Sequence, residues 1–356
     1  MTIPCRRFAE NPLLVPEQVK PSRPDARVLG AFNAGAFEYK GRFGLLVRVA
    51  EVAVQDDPAV RKILQLEFVR GRPRIGVLAF RRDDPELDLS RPGGIVYRDG
   101  VRKGWLGHFS HLRLAWSDDG RRWRLDPKPS VLPADRYETG GMEDPRVTLL
   151  EGRYLITYTG VGRLGITDNL LSTRDWKRFA RHGPLFVPDN KDVCIFPAKV
   201  GGRYVALHRP SSSGHGMPNL WIAFSPDLVH WGGHECLMEV RPGMWDSARI
   251  GCGPPPLRTK KGWLEIYHGS DNRGYCLGAV LLDLKNPRRV LARSREPILV
   301  PEAPYEKQGY VPNVVFSCGE IVRPDGTLWI YYGGADRVIA GCETSIDEIL
   351  RSLEAG

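Results

Sequence analysis

No apolar run in this 356-residue chain approaches the roughly 20 residues a helix needs to cross a bilayer, which excludes a helical membrane span. Cysteine is sparse and scattered. The seven residues Cys5, Cys194, Cys236, Cys252, Cys276, Cys318 and Cys342 contain no CxxC pair and are odd in number, which argues against a disulfide framework. Free thiols in a reducing compartment are expected, and with them a cytoplasmic location. The opening "MTIPCRRFAENPLLVPEQ" lacks the apolar stretch of a secretion signal. Also missing are GxSxG, HExxH, a P-loop and a GxGxxG ahead of a helix. Serine hydrolysis, nucleotide hydrolysis and hydride transfer lose support accordingly. The eight histidines fall at no ligand spacing, so neither a metal nor a cofactor is expected. The formal charge is +9, yet the arginines are dispersed, often in pairs such as Arg6-Arg7 and Arg288-Arg289. Without a long basic run, nucleic acid is not an expected partner, while a small anion is compatible.

What is present is a soluble, globular composition, 42% hydrophobic and 26% charged, with dispersed Gly and Pro. Short β-branched and aromatic runs ("FGLLVRVAEVAV", "RYLITYTGV", "RYVALHRP", "WLEIYHG", "TLWIYYGG") read as strands. A single helix is predicted over 343–354, with Thr344 or Ser345 as N-cap. The strands repeat. An apolar strand, a Ser, an Asp one to three residues later and a Trp recur around Ser117, Ser172 and Ser225, with a weaker copy at Asp283. A period of about 55 residues made only of strands implies propeller blades. The Asp would cap a turn and the Trp would pack. The prediction is an all-β chain folded as one five-bladed β-propeller domain over 1–356, with an extended loop or hairpin inserted over 53–110.

Candidate functional residues stand near strand ends. Arg48 interrupts "LLVRVA" and must be paired, with Glu51 as one partner, or functional. In "GGMEDPRVT", Pro145 would hold Asp144 extended. Strand alternation would send Glu143 and Asp144 to opposite faces, with Arg146 on the side of Asp144. An Asp144–Arg146 ion pair is the structural alternative. Arg163 lies on a glycine-flanked turn. Lys191, His208 and Arg209 form a group of cations at neighbouring strand ends, suited to inorganic phosphate. Phe316 and Asp336 flank the last strands, where Asp336 either binds a sugar diol or caps a turn.

The segments "GGMEDPRVT", "NKDVCIFPAKVGGRYVALHRP", "RIGCGPPPLRTKKGWLEIYHG" and "IYYGGADRVIAG", in this order, resemble glycoside hydrolase family 130, the β-mannoside phosphorylases and β-1,2-mannosidases. The resemblance covers nearly the whole chain and implies a five-bladed propeller. It implies Asp144 as general acid and Asn33, Arg48, Tyr275, Phe316 and Asp336 as sugar-binding residues, to which Arg146 is added as a partner of the acid or the sugar on the same side as Asp144. It further implies Arg163, Lys191, His208 and Arg209 as the phosphate site, with Arg174 as the alternative to Arg163. The expected reaction is inverting phosphorolysis of a β-mannoside to α-mannose 1-phosphate, with phosphate as co-substrate. A β-1,2-mannosidase is the alternative, with Asp168 the one acidic group in its favour, and a non-catalytic sugar-binding propeller is the third reading. Homo-oligomer formation, linkage and acceptor sugar are left open.

Overall fold

The computed structural model describes residues 5–91, 93–211 and 215–354. It is all-β, built from five antiparallel meanders in chain order. The first has Ala26–Tyr39, Arg42–Ala53 and Phe109–Ser117, with Arg124–Leu125 on its outer edge. The second runs through Gly141–Leu150, Arg153–Gly162, Gly165–Thr173 and Ala180–Phe186. The third has Asn190–Ile195, Tyr204–Pro210, Leu220–Ser225 and Gly232–Met238. The fourth has Arg249–Cys252, Trp263–Ser270, Tyr275–Leu282 and Val290–Arg293. The fifth has Val315–Val322, Thr327–Gly334 and Val338–Ser345, and its fourth strand is Arg6–Arg7 from the other end of the chain. The first two meanders share one sheet through a single contact, Gly141 with Ser110.

The inner strands of each meander are apolar enough to bury both faces, whereas outer strands such as Ala180–Phe186 and Gly232–Met238 are largely exposed, so each meander packs between two others. The core is accordingly divided into layers. Phe37 and Leu46 meet Met142 and Ile156 between the first two meanders, and Leu150 and Leu155 meet Val193 and Ala206 between the next pair. Leu207 packs with Ile250 and Trp263, and Leu264 and Leu277 with Val315 and Ile330. Ala31 and Val47 with Ile321 and Tyr331 join the last meander to the first. Every adjacent pair, first and last included, therefore shares a buried layer. Each buried Leu-sized side chain contributes about 1.5–3 kcal/mol.

The repeated aspartates cap the outer turns. Asp119, Asp175, Asp227 and Asp283 each accept two backbone N–H groups, from the residues two and three positions on, at 2.8–2.9 Å. In the second copy the hydroxyl partner is Thr173 rather than Ser172, because Thr173 receives the N–H of Asp175 and of Trp176.

The 53–110 region holds more structure than a loop. Val60–Val69 and Arg72–Arg81 form a hairpin whose turn residues Arg70 and Gly71 both have positive φ, 51° and 75°, the requirement of a tight type I′ turn. A second small sheet follows, of Leu87–Asp88, Gly94–Tyr97 and Trp105–Leu106. Leu66 N–H donates to Thr139 O at 2.9 Å, tying the insertion to the chain just ahead of Gly141. The terminal helix spans Ile346–Glu354, shorter than predicted, because 343–345 complete a strand and Ser345 receives the Glu348 N–H.

Candidate active site

The site draws on first, second and third strands of the meanders, and three of the first strands break the period-2 rule in the same way. Register shifts fall between Phe32 and Gly35, Glu143 and Arg146, and Lys191 and Cys194. At each bulge one residue takes a left-handed conformation: Asn33 (φ 48°), Asp144 (φ 51°) and Asp192 (φ 58°). Asn and Asp are the side-chain-bearing residues that adopt this conformation most readily. A bulge re-aims its side chain. Asp144 is therefore not extended, as the following proline had suggested.

The bulge also overturns the predicted separation of the two carboxylates. Glu143 and Asp144 meet one guanidinium. Arg48 Nη2 donates to Glu143 Oε1 at 2.7 Å and Arg48 Nη1 to Asp144 Oδ1 at 2.9 Å. Asn33 Nδ2 donates to the same Asp144 oxygen at 2.9 Å. Among the described residues Asp144 Oδ2 has no hydrogen-bond partner. Arg48 does not pair with Glu51, which is bound to Ser22 and His111 instead. Nor does Arg146 pair with the Asp144 carboxylate. Its Nη1 donates to the Asp144 backbone oxygen at 2.9 Å, while Nη2 reaches Asp192 Oδ1 at 3.2 Å.

Glu143 is a fixed anion. Burial works to raise its pKa but is outweighed by Arg48 and Lys191, which hold it well below the ordinary carboxylate range. Lys191 Nζ lies 3.4 Å from Glu143 Oε2, and its side chain keeps 26% exposure. His108, from the end of the insertion, touches both Arg48 at 3.0 Å and Glu143 at 3.3 Å. Asp336 is half-buried, and burial together with Asp144 and Glu143, acting against Arg48, pushes it up to about 7.

On the other side stands Asp192, which the sequence reading passed over in favour of its neighbour Lys191. Its Oδ2 lies 2.8 Å from Arg209 Nη1 and 3.2 Å from His268 Nε2. Burial opposes its ionisation, but Arg209, His268 and Arg146 prevail and hold it well below the usual range. Phe316 packs on His268 with centroids 4.2 Å apart, and Tyr275 lies 6.0 Å from Phe316 and accepts from Arg249 Nη1 at 3.2 Å.

Two expected cations do not join this group. His208 points away from Arg209, as alternation requires, and stacks on Phe186 at 4.4 Å between Asn190 and His234. Burial, aided by His234, drives its pKa down to about 3, so the ring is neutral. Arg163 is exposed, its guanidinium 5.4 Å from the Trp105 ring, at the lip of a cleft of about 810 Å³. That cleft runs between the insertion and the second meander and is lined by Tyr97, Trp105, Thr139, Gly140 and Asp189 among others. Asp144 does not line it, and it reads as an approach rather than the reaction centre. Arg174 sits at the far end of the Gly165–Thr173 strand and is no substitute for Arg163.

Asp168 is fully buried, and burial reinforced by Asp192 holds its carboxyl well above the ordinary range. Among the described residues, one group could offer three ligands to a metal ion: Cys194, Cys252 and Glu265, beneath Asp192. Burial raises both the Cys194 thiol and the Glu265 carboxyl, and Glu265 already accepts the Gly253 N–H. Such protonated groups suit a packed core better than a cation.

Buried polar atoms without a hydrogen-bond partner are found here as well as elsewhere: Asn33 Oδ1, His108 Nδ1, Asp192 Oδ2, Arg209 Nε and His268 Nδ1. Each unmet group costs about 1–3 kcal/mol unless something polar arrives to meet it. The arrangement thus offers a carboxylic acid with one open oxygen, beside cations and neutral donors suited to a polyhydroxy ligand and an anion. His108, Asp192 and His268 were not singled out from sequence. For Asp192 the signal was present: "KDV" places an Asp at the strand position that Asn33 and Asp144 hold in their own meanders.

The family model described as β-1,4-mannooligosaccharide phosphorylase, of the glycoside hydrolase 130 group, matches residues 97–355. A β-1,2-mannobiose phosphorylase of Listeria innocua is 44% identical over 351 residues, 98% of each chain. A 1,2-β-oligomannan phosphorylase of Thermoanaerobacter sp. is 45% identical over 258 residues, 69% of this chain and 83% of its own. The solved structure of the Listeria innocua β-1,2-mannobiose phosphorylase with β-1,2-mannobiose superposes with a TM-score of 0.93 and 42% identity, covering 100% of both chains.

Proposed function

The chain belongs to glycoside hydrolase family 130, and on that footing we propose how its site performs the reaction. It is a mannoside phosphorylase that cleaves β-mannosides with inorganic phosphate. A phosphate oxygen attacks the anomeric carbon as the bond to the departing sugar oxygen breaks. That oxygen takes its proton from Asp144, and the product is α-mannose 1-phosphate. The open Oδ2 of Asp144 is the atom that gives the proton, while Asn33 and Arg48 hold Oδ1. Asn33, Arg48, Tyr275, Phe316 and Asp336 bind the mannose, and Arg146 secures the backbone of Asp144. Lys191 and Arg209 hold the phosphate, with Arg163 at the entrance and His208 as a neutral support behind them.

The observation that carries this reading is that, among the described residues, the carboxylate adjoining the acid, Glu143, is tied to two cations rather than free to activate water. Inverting hydrolysis needs a base that activates water, about 6.5–9.5 Å from the acid. Glu143 is neutralised by Arg48 and Lys191, and Asp168 is closed to solvent, with its carboxyl held above the ordinary range by burial. Phosphate is already an anionic nucleophile and needs cations rather than a base. We further infer that the five meanders are propeller blades around a channel, closed by the Arg6–Arg7 strand, and that the β-1,2 linkage of the Listeria relative is the preferred one. Product release with and without phosphate tests the reaction: mannose 1-phosphate should form only with phosphate. Free mannose appearing at an equal rate in phosphate-free buffer would overturn it.

A further inference from the structure

We propose that Asp192 is a positioning residue for phosphorolysis: it sets the direction in which Arg209 presents its guanidinium and steadies the backbone on which Asp144 stands. The inference rests on the phosphorolytic reading above. Asp192 is only 2% exposed, its Oδ1 accepting from Arg146 and its Oδ2 within ion-pair distance of Arg209 and His268, so burial keeps it from meeting substrate itself. What it touches does. Through Arg209 Nη1 it fixes one corner of a planar, rigid fork. Arg209 Nε stays buried without a protein partner, a donor left over for an anion. Through Arg146 it reaches the Asp144 backbone oxygen, and Arg146 is pinned in turn by Gly253 O and Cys252 O, both at 3.0 Å. One carboxylate thereby couples the second, third and fourth meanders at the point where acid and nucleophile must be set in register.

Gly251 supports this role. A Cβ there would stand 2.5 Å from Asp192 Oδ2 and 2.6 Å from His268 Nε2. Its backbone is not left-handed, so the space, not the conformation, excludes a side chain. Gly251→Ala should displace the carboxylate while keeping its charge, and Asp192→Asn should keep the shape while removing the charge.

The test is steady-state phosphorolysis of a mannobiose that the wild type accepts, varying inorganic phosphate and sugar independently in the full-length protein. Both variants should raise KM for phosphate by about tenfold or more and lower kcat, with KM for the sugar within about twofold. A purely structural role would move both KM values together, and that result, or an unchanged phosphate KM, overturns the proposal. If Asp192→Asn fails to fold, Gly251→Ala decides. Failure of both to fold overturns positioning in favour of a structural role. Wild-type turnover without phosphate would instead bring down the phosphorolytic reading.

Discussion

Asp144 and Asp192 are built alike and behave oppositely. Each occupies a left-handed position on a bulge of its meander's first strand, and each faces arginine. Asp144 receives its contacts on one oxygen and keeps the other open. Asp192 is enclosed by Arg146, Arg209 and His268 with neither oxygen open to solvent, and is held well below the usual carboxylate range. One backbone device thus leaves a carboxylate with an open oxygen in one place and one enclosed by arginines in another. The choice between them is made by how many cations converge, not by the local chain.

The sharpest way to break this comparison is Asp144→Asn. Phosphorolysis should fall by about 10²–10⁴, the usual worth of a general acid. Mannose affinity, measured calorimetrically, should stay within about twofold because Asn33 and Arg48 remain. An active variant would mean that another group gives the proton.

Next in size is Arg48→Gln, which removes the cation shared by Glu143 and Asp144. Taking one partner from a buried ion pair costs about 3–5 kcal/mol, to be read from urea unfolding. A loss under 1 kcal/mol would show that Lys191 and His108 suffice to hold Glu143.

A pH series separates fixed anions from titrating ones. The folded-state pKa of Glu143 lies well below its ordinary value of 4.5. Its contribution to stability is therefore complete above that value and lost as pH falls toward the folded one. Wild type should lose its advantage over Glu143→Gln on acidification from about pH 5 to pH 3. A gap that stays constant over that range would contradict the ionised assignment.

Asp336 has the opposite sign, its folded pKa raised to about 7. Its protonated form favours the folded state, so stability declines as pH rises from about 4 toward 7 and levels off above. Sugar affinity should titrate near pH 7 in the wild type and lose that step in Asp336→Asn, checked by calorimetry between pH 6 and 8.

The smallest effect is expected at an outer turn. Asp175→Ala removes the acceptor for two surface N–H groups, so the melting temperature should drop slightly with turnover unchanged. A drop as large as that of Arg48→Gln would erase the distinction between turn caps and the inner carboxylates.

Much of this was legible in the chain. The apolar runs became strands, the Asp-containing repeats became outer turns, and the polar interruptions at Asn33, Arg48, Asp144, Lys191, Arg209 and Asp336 did gather. What misled was the assumption of unbroken alternation. One extra residue at a bulge reverses the facing of every side chain around it, and so Glu143 and Asp144 came to share Arg48. His208 was read as a cation from its residue type, and only the packing of Phe186 and His234 around it shows a neutral ring.

The sequence by itself determined an all-β chain of repeated meanders and the motif that carries Glu143 and Asp144, because strand period, turn chemistry and motif order are local properties. Which carboxylates stay charged and which oxygen stays open was decided by the tertiary structure alone. Those outcomes depend on burial and on charges from distant segments, as in the Arg48, Glu143 and His108 cluster and in the three-meander junction at Asp192. Electrostatic energy in a desolvated site is set by distances that no spacing in the chain encodes.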